Sequence, residues 1–229
     1  MTETEIIKGF PENIYDNDIQ KKDNAETYFL VASSCRGKSY IIKEMYDKMF
    51  KKIKDLIIIM ISPSMNISLF KDIKGPNVIK INKFNKDTNT LLKKIVKLQG
   101  DTDNMFRFLI IIDDCIEESY NQVVNNLFLV NRNQQITTIL SCQYPAILSK
   151  RARGSCKNII CGGINSDESI KVLTDSFLKS EMINKYFPNE KKISEIDIIN
   201  KYRGITDGNN GHVFFYHNPQ QRILQPFTL

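Results

Sequence analysis

Apolar residues along the chain fall into short, nearly uninterrupted runs, separated by longer stretches where they recur every three or four positions. The runs are Tyr28–Val31, Leu56–Ile61, Val78–Ile81, Phe106–Ile112, Ile136–Leu140 and Asn158–Cys161. Short runs that are apolar from end to end suit strands buried on both faces, as in a parallel sheet covered by helices. Between them, Lys38–Lys51 carries Ile41, Ile42, Met45, Tyr46 and Met49 at helical spacing. Thr88–Leu98 aligns Leu91, Leu92, Ile95 and Leu98, and Val123, Val124, Leu127 and Phe128 form a third apolar stripe. The alternation predicts an α/β layered fold. In the last third, helices near 167–179 and 193–203 precede a turn-rich stretch, 207–211, and a final strand over Val213–Tyr216. That strand is expected to join the sheet antiparallel at its edge. Residues 1–26 are polar and irregular and read as an N-terminal arm, leaving one domain over 27–229.

Composition narrows the class. A chain of 229 residues with 41% hydrophobic and 25% charged residues can bury one sizeable core. Its longest apolar run, Leu56–Ile61, is far too short to span a bilayer, so no membrane partner is expected. Acids stand among the first five residues where a signal peptide carries bases, which places the expected location inside a cell. Cys35, Cys115, Cys142, Cys156 and Cys161 form no CxxC pair, and only His212 and His217 could join them on a metal. Free thiols in a reducing compartment are the expectation, not a structural zinc site. The net charge of +6 is compatible with a polyanionic partner, although lysine-rich surfaces also serve solubility.

The chemistry concentrates in two places. Residues 32–39 read Ala-Ser-Ser-Cys-Arg-Gly-Lys-Ser, directly after the first strand and at the start of an amphipathic helix. This is a phosphate-binding loop with alanine in place of its first glycine. Backbone N–H groups of Ser33, Ser34, Cys35, Arg36 and Gly37 would cradle phosphates at the helix N-terminus. Lys38 would reach the β- and γ-phosphates, and the Ser39 hydroxyl would ligate Mg²⁺. Alanine is acceptable at position 32 provided that residue needs no positive φ. Cys35 is either a small inert loop residue or a thiol whose alkylation blocks nucleotide binding by bulk. The second place is Phe108–Asp114, a strand ending in two carboxylates. Asp113 would hold Mg²⁺, and Asp114 would orient or deprotonate the attacking water, with Glu117 in reserve for that task. ATP and Mg²⁺ are the cofactors implied.

An acidic pair at the end of such a strand, and an extra strand between loop and acids, resemble the ATPases whose sheet carries an additional catalytic strand. The stretch 127–143 sharpens the likeness, with an arginine before a strand that ends in Ser141-Cys142-Gln143. It resembles the FtsK/HerA superfamily, and within it the poxvirus-type genome-packaging ATPases of large DNA viruses and virophages. The resemblance covers roughly residues 27–162. It implies a three-layer P-loop NTPase fold of the RecA/ASCE kind, with a mainly parallel central sheet and an antiparallel C-terminal edge strand. It further implies that Gln143 contacts the γ-phosphate or its water. An arginine finger would come from a neighbouring subunit, with Arg153 favoured over Arg132, and Arg151 beside it. Bland alternatives stand next to these: Gln143 satisfying backbone groups at a strand end, Arg132 neutralising a helix C-terminus, and Arg151 and Arg153 as surface charges.

The function implied is an ATP-driven motor that moves double-stranded DNA into a viral capsid. Its partners would be DNA bound without sequence preference, capsid vertex proteins, and further copies of the chain in a ring. It would work in the cytoplasm of an infected host cell, in the viral factory, or in the virion. Ser62–Ser68 and Lys71–Lys86 are candidate DNA-contacting loops. Two alternatives remain: a P-loop nucleotide or small-molecule kinase, and an ATP-binding capsid scaffold with little hydrolysis.

Overall fold

The computed structural model of the protein describes residues 6–11, 25–63, 68–115, 121–190, 192–207 and 212–228. Six parallel strands form the heart of one sheet: β2 (Thr27–Val31), β3 (Leu56–Ile61), β4 (Val78–Ile81), β5 (Arg107–Asp113), β6 (Ile136–Cys142) and β7 (Asn158–Cys161). Their order is β7-β2-β6-β5-β3-β4, so β6 separates the strand that feeds the loop from the strand that ends in the acids. Five of these strands were visible as apolar runs because burial on both faces leaves no polar side to interrupt them, whereas β4, at the sheet's edge, is only partly buried and carries the exposed Lys80. β8 (Val213–Asn218) pairs antiparallel with β7, as expected.

The sheet continues past β8 by two strands that the pattern does not reveal. β9 (Ile223–Thr228) pairs antiparallel with β8, and β1 (Ile7–Lys8) pairs parallel with β9. Gln225 and Pro226 interrupt the apolar run of β9, and proline within a run argues against a strand. Beside β1, Phe10 is buried with its ring centroid 5.2 Å from that of Phe227. Part of the segment read as an arm therefore packs on the sheet; residues 1–5 and 12–24 lie outside the described residues.

Alternate residues of each strand feed separate cores, which makes three layers. On one face Leu109 and Ile111 of β5 pack with Ile41, Ile42 and Met45 of α1 (Lys38–Met45). On the other, Ile110 and Ile112 meet Leu92 and Ile95 of α3 (Lys86–Asp101) and Leu127 and Phe128 of α4 (Asn121–Val130). α2 (Ser68–Lys71) and α5 (Lys150–Gly154) are single turns. α6 (Asp167–Leu173), α7 (Lys179–Tyr186) and α8 (Glu195–Thr206) complete the fold beside β7 and β8.

Local sequence explains the helix ends. The Asn85 side chain accepts from the Thr88 N–H at 3.0 Å and starts α3 at Lys86, two residues before the expected Thr88. Ser194 and Asp197 form a reciprocal capping box at α8. The helix expected over 38–51 loosens into a π-helical turn at Tyr46–Phe50, closed by Lys51 N–H to Tyr46 O at 2.9 Å. The extra residue in that turn lets Met49 and Phe50 both stay buried.

Candidate active site

Because β2, β3, β5, β6 and β7 run parallel, their C-terminal ends share one edge, where α/β sheets bind ligands. The loop 32–39 leaves β2 there. Its entry is pinned by Ala32 N–H to Cys142 O (3.2 Å) and Ser33 N–H to Gly163 O (2.9 Å). Cys35 turns at φ 60 and is exposed, and Gly37 turns at φ 93 immediately before α1. Left-handed backbone at both positions aims successive N–H groups at one point, and the helix dipole adds positive potential there.

Ala32 does not adopt a positive φ and is fully buried. The missing glycine thus costs no backbone strain. Its methyl group faces Gly162, just beyond β7, where an added Cβ would stand 3.2 Å from Ala32 Cβ and 2.6 Å from Phe214 Cε1. Two further loop residues lean on this neighbourhood. The Ser33 hydroxyl accepts from Asn165 N–H at 3.1 Å, and Arg36 pairs with Asp207 at 3.4 Å over Gly163.

Lys38 is 5% exposed, and its ammonium is held by three oxygens: Ala32 O at 2.9 Å, Ser33 O at 3.2 Å and Asp114 Oδ2 at 3.0 Å. The Ser39 hydroxyl donates to Asp113 Oδ2 at 3.0 Å. Ser62, at the end of β3, donates to the same oxygen at 3.3 Å. Asp113 is 2% exposed, and burial pushes its carboxyl above the usual carboxylate range. The hydroxyls of Ser141, Ser39 and Ser62 act in the opposite direction, and the Asp114 charge adds to the rise. Asp113 Oδ1 and the nearby Ser141 hydroxyl are both buried, and neither has a hydrogen-bond partner of ordinary geometry. An orphaned carboxylate oxygen beside a serine hydroxyl is the hard-oxygen donor set that Mg²⁺ takes, so these residues fit that ion.

Asp114 departs from the strand at φ 50, with its N–H bonded to Ser141 O at 3.1 Å. The left-handed turn sends its carboxylate toward the loop instead of letting it follow the strand's alternation. Gln143, one residue beyond β6, donates from Nε2 to Asp114 Oδ2 at 3.5 Å. Three residues therefore converge, Lys38 from the start of α1 and Asp114 and Gln143 from just beyond β5 and β6. Sequence reading missed Ser62 and Ser141. Ser62 directly follows an apolar strand that neighbours β5, a signal that only strand order makes readable.

The arginines are placed differently. Arg153 on α5 folds back, its Nη1 donating to Leu148 O at 2.5 Å, whereas Arg151 is exposed. The Arg132 side chain, the candidate base Glu117 and residues 64–67 of one candidate DNA loop lie outside the described residues. Cys142 is buried, and burial drives its thiol well above the ordinary range. The Cys115 thiol is pushed up to about 12, by burial first and the Asp113 charge second. Neither is a nucleophile at neutral pH.

The sheet order, the loop and the acidic strand end define the fold of a P-loop NTPase with an additional strand between loop strand and acids. Two groups of solved structures share it. The genome-packaging NTPase B204 from Sulfolobus turreted icosahedral virus 2, in complex with sulfate, superposes with a TM-score of 0.62 at 14% identity, covering 88% of this chain and 95% of that one. The same NTPase in complex with AMPPCP gives a TM-score of 0.57 over 88% and 96%. EssC (ATPases 2 and 3) from Geobacillus thermodenitrificans gives a TM-score of 0.55 at 9% identity, over 91% of this chain and 37% of that one. No protein-family model matches the chain, and no curated protein matches it by sequence.

Proposed function

We propose that the chain is an ATP-hydrolysing motor that moves double-stranded DNA into a viral capsid. The observation that carries this reading is the convergence of Lys38, Asp114 and Gln143 at one sheet edge, 3.0 and 3.5 Å apart in sequence of contact. The fold shared with a viral genome-packaging NTPase over 88% of this chain supports the choice of task.

Each residue has a physical role in hydrolysis. Loop N–H groups and Lys38 hold the phosphates and counter the charge that builds on them. Mg²⁺, held by Ser39 and Asp113, would supply further positive charge beside the phosphates. Asp114 accepts a proton from the attacking water, and Gln143 orients that water from the neighbouring strand end. The products are ADP and inorganic phosphate. An arginine from the adjacent subunit of a ring completes the site: Arg153, once released from Leu148, or Arg151 beside it. Fixed charge and planar geometry suit arginine to that role.

The partners in this reading are duplex DNA, capsid vertex proteins and copies of the chain itself, in the infected cell's cytoplasm or the virion. Among the described residues no helix is long and apolar enough to cross a membrane. The test is ATP hydrolysis with and without long duplex DNA, for wild type, Lys38→Ala and Asp114→Asn. DNA-stimulated turnover lost in both variants supports the motor. Tight ATP binding without turnover at any DNA concentration sinks it in favour of a nucleotide-dependent scaffold.

A further inference from the structure

The chain's net charge is +6, and residues 71–97 alone account for it, with eight lysines against two aspartates; the other 202 residues are neutral overall. All eight lysines are exposed. Among the described residues none of them takes part in an ion pair, whereas Lys43, Lys48, Lys157, Lys171 and Lys179 elsewhere all do. The segment comprises the last strand of the sheet, β4, and the outer helix α3. Lys83 and Lys86 follow the C-terminal end of β4, on the sheet edge that carries the loop and the acids. The basic face starts beside the active site and runs away from it down α3.

Lys86, Lys93 and Lys97 stand 7 and 4 residues apart on α3, within about 40° of one another around the helix. They form one row about 16 Å long, with steps of roughly 10 and 6 Å. The row does not serve the helix. Lys86 sits in the first turn, where the dipole disfavours cations, and the last turn holds no basic residue. Lys93 and Lys97 repel each other at i,i+4. Lys93 also borders an open cleft of about 460 Å³ lined by Gln122, Asn125 and Asn126 together with the apolar Val123 and Leu129 of α4.

We propose that the β4–α3 flank is the surface that contacts the phosphate backbone of duplex DNA, with the Lys86, Lys93 and Lys97 row as its centre. This rests on the motor reading above and assigns its DNA contact to one face. Backbone contact of this kind is independent of sequence and strongly dependent on salt.

The experiment measures binding of the full chain to a labelled 30-bp duplex of arbitrary sequence across a salt series. Wild type is compared with K86Q/K93Q/K97Q and with K52Q/K54Q/K192Q, which removes the same charge from exposed positions elsewhere. The flank triple is expected to flatten the slope of log K against log salt by about 2.7 and to weaken binding about tenfold at 0.15 M salt. The control triple should change binding less than about twofold. Unchanged basal ATP hydrolysis in the flank triple shows that it is folded. Equal losses in both triples, or none in the flank triple, overturn the assignment and leave the motor reading standing. If wild type binds no duplex at low salt, both fail. If the flank triple loses binding to anionic lipid vesicles but not to DNA, the face belongs to a membrane and the proposal is wrong.

Discussion

The Lys38 ammonium lies 3.0 Å from Asp114 Oδ2, so the residue proposed to grip the phosphates and the residue proposed to take the proton hold each other. Any phosphate that Lys38 reaches competes with that pair. Asp114→Asn removes the competing charge and keeps the shape. The variant is expected to bind ATP several-fold more tightly while hydrolysing it about 10²–10⁴ times more slowly. Titration with a fluorescent ATP analogue, beside a phosphate-release assay, reads both. Weaker binding together with slow hydrolysis would mean that Asp114 organises the loop and does not compete for its lysine.

Asp113 gives a pH signature. Its carboxyl titrates above the usual range because it is buried, so the folded protein holds that proton more tightly than the unfolded chain. The stability that this contributes is full below the ordinary carboxylate pKa and is lost as pH rises through the raised value. At neutral pH the buried charge is a liability. Asp113→Asn should therefore melt higher than wild type at pH 7 without Mg²⁺, by about 2–4 °C for each kcal/mol relieved. The gap should close in acid. Mg²⁺ with ATP should stabilise wild type and not the variant. A variant less stable at pH 7 would show that the surrounding hydroxyls outweigh burial.

The close approach behind the loop predicts an asymmetric pair of substitutions. Gly162→Ala would place a methyl group 2.6 Å from the ring of Phe214, which is itself buried. Overpacking of this kind costs about 1–3 kcal/mol. Ala32→Gly should leave hydrolysis within about twofold of wild type, because Ala32 needs no positive φ. Thermal melts and turnover rates check the two claims separately.

Cys35 is the exposed thiol of the loop, while Cys142, Cys156 and Cys161 are buried. Brief maleimide treatment should modify Cys35 first and block nucleotide binding by bulk. ATP should protect it. Cys35→Ser should retain binding and ignore the reagent; a variant still inactivated by maleimide would place the sensitive thiol elsewhere.

The neighbour-supplied arginine predicts complementation. Asp114→Asn and Arg153→Ala proteins, each inactive alone, should regain part of the turnover when mixed, since a ring then contains interfaces with both residues intact. If Arg153→Ala keeps its turnover and Arg151→Ala complements instead, the exposed arginine is the finger. Recovery with neither would point to a site completed within one chain.

Much of the fold was legible because a doubly covered parallel sheet writes itself as uninterrupted apolar runs. The position of the loop between β2 and α1, and of Asp113 at the end of β5, was legible because each directly follows an apolar run. Ser62 was not, since its role depends on β3 lying next to β5, a fact of topology with no local trace. β9 was hidden by Pro226, and β1 by its length of two residues, whose place is set by Phe10 and Phe227 packing across the chain's two ends. The left-handed turn at Asp114 was also invisible: aspartate tolerates that conformation without announcing it.

The contact between Ala32 and Gly162 bears on how such loops are found at all. A methyl group gained at the start of the loop is accommodated where Gly162, 130 residues later and just beyond β7, has no side chain to oppose it. Steric permission for the loop is therefore shared between two distant positions. A search string that insists on glycine at the first would discard every chain that meets the same spatial requirement from the other side.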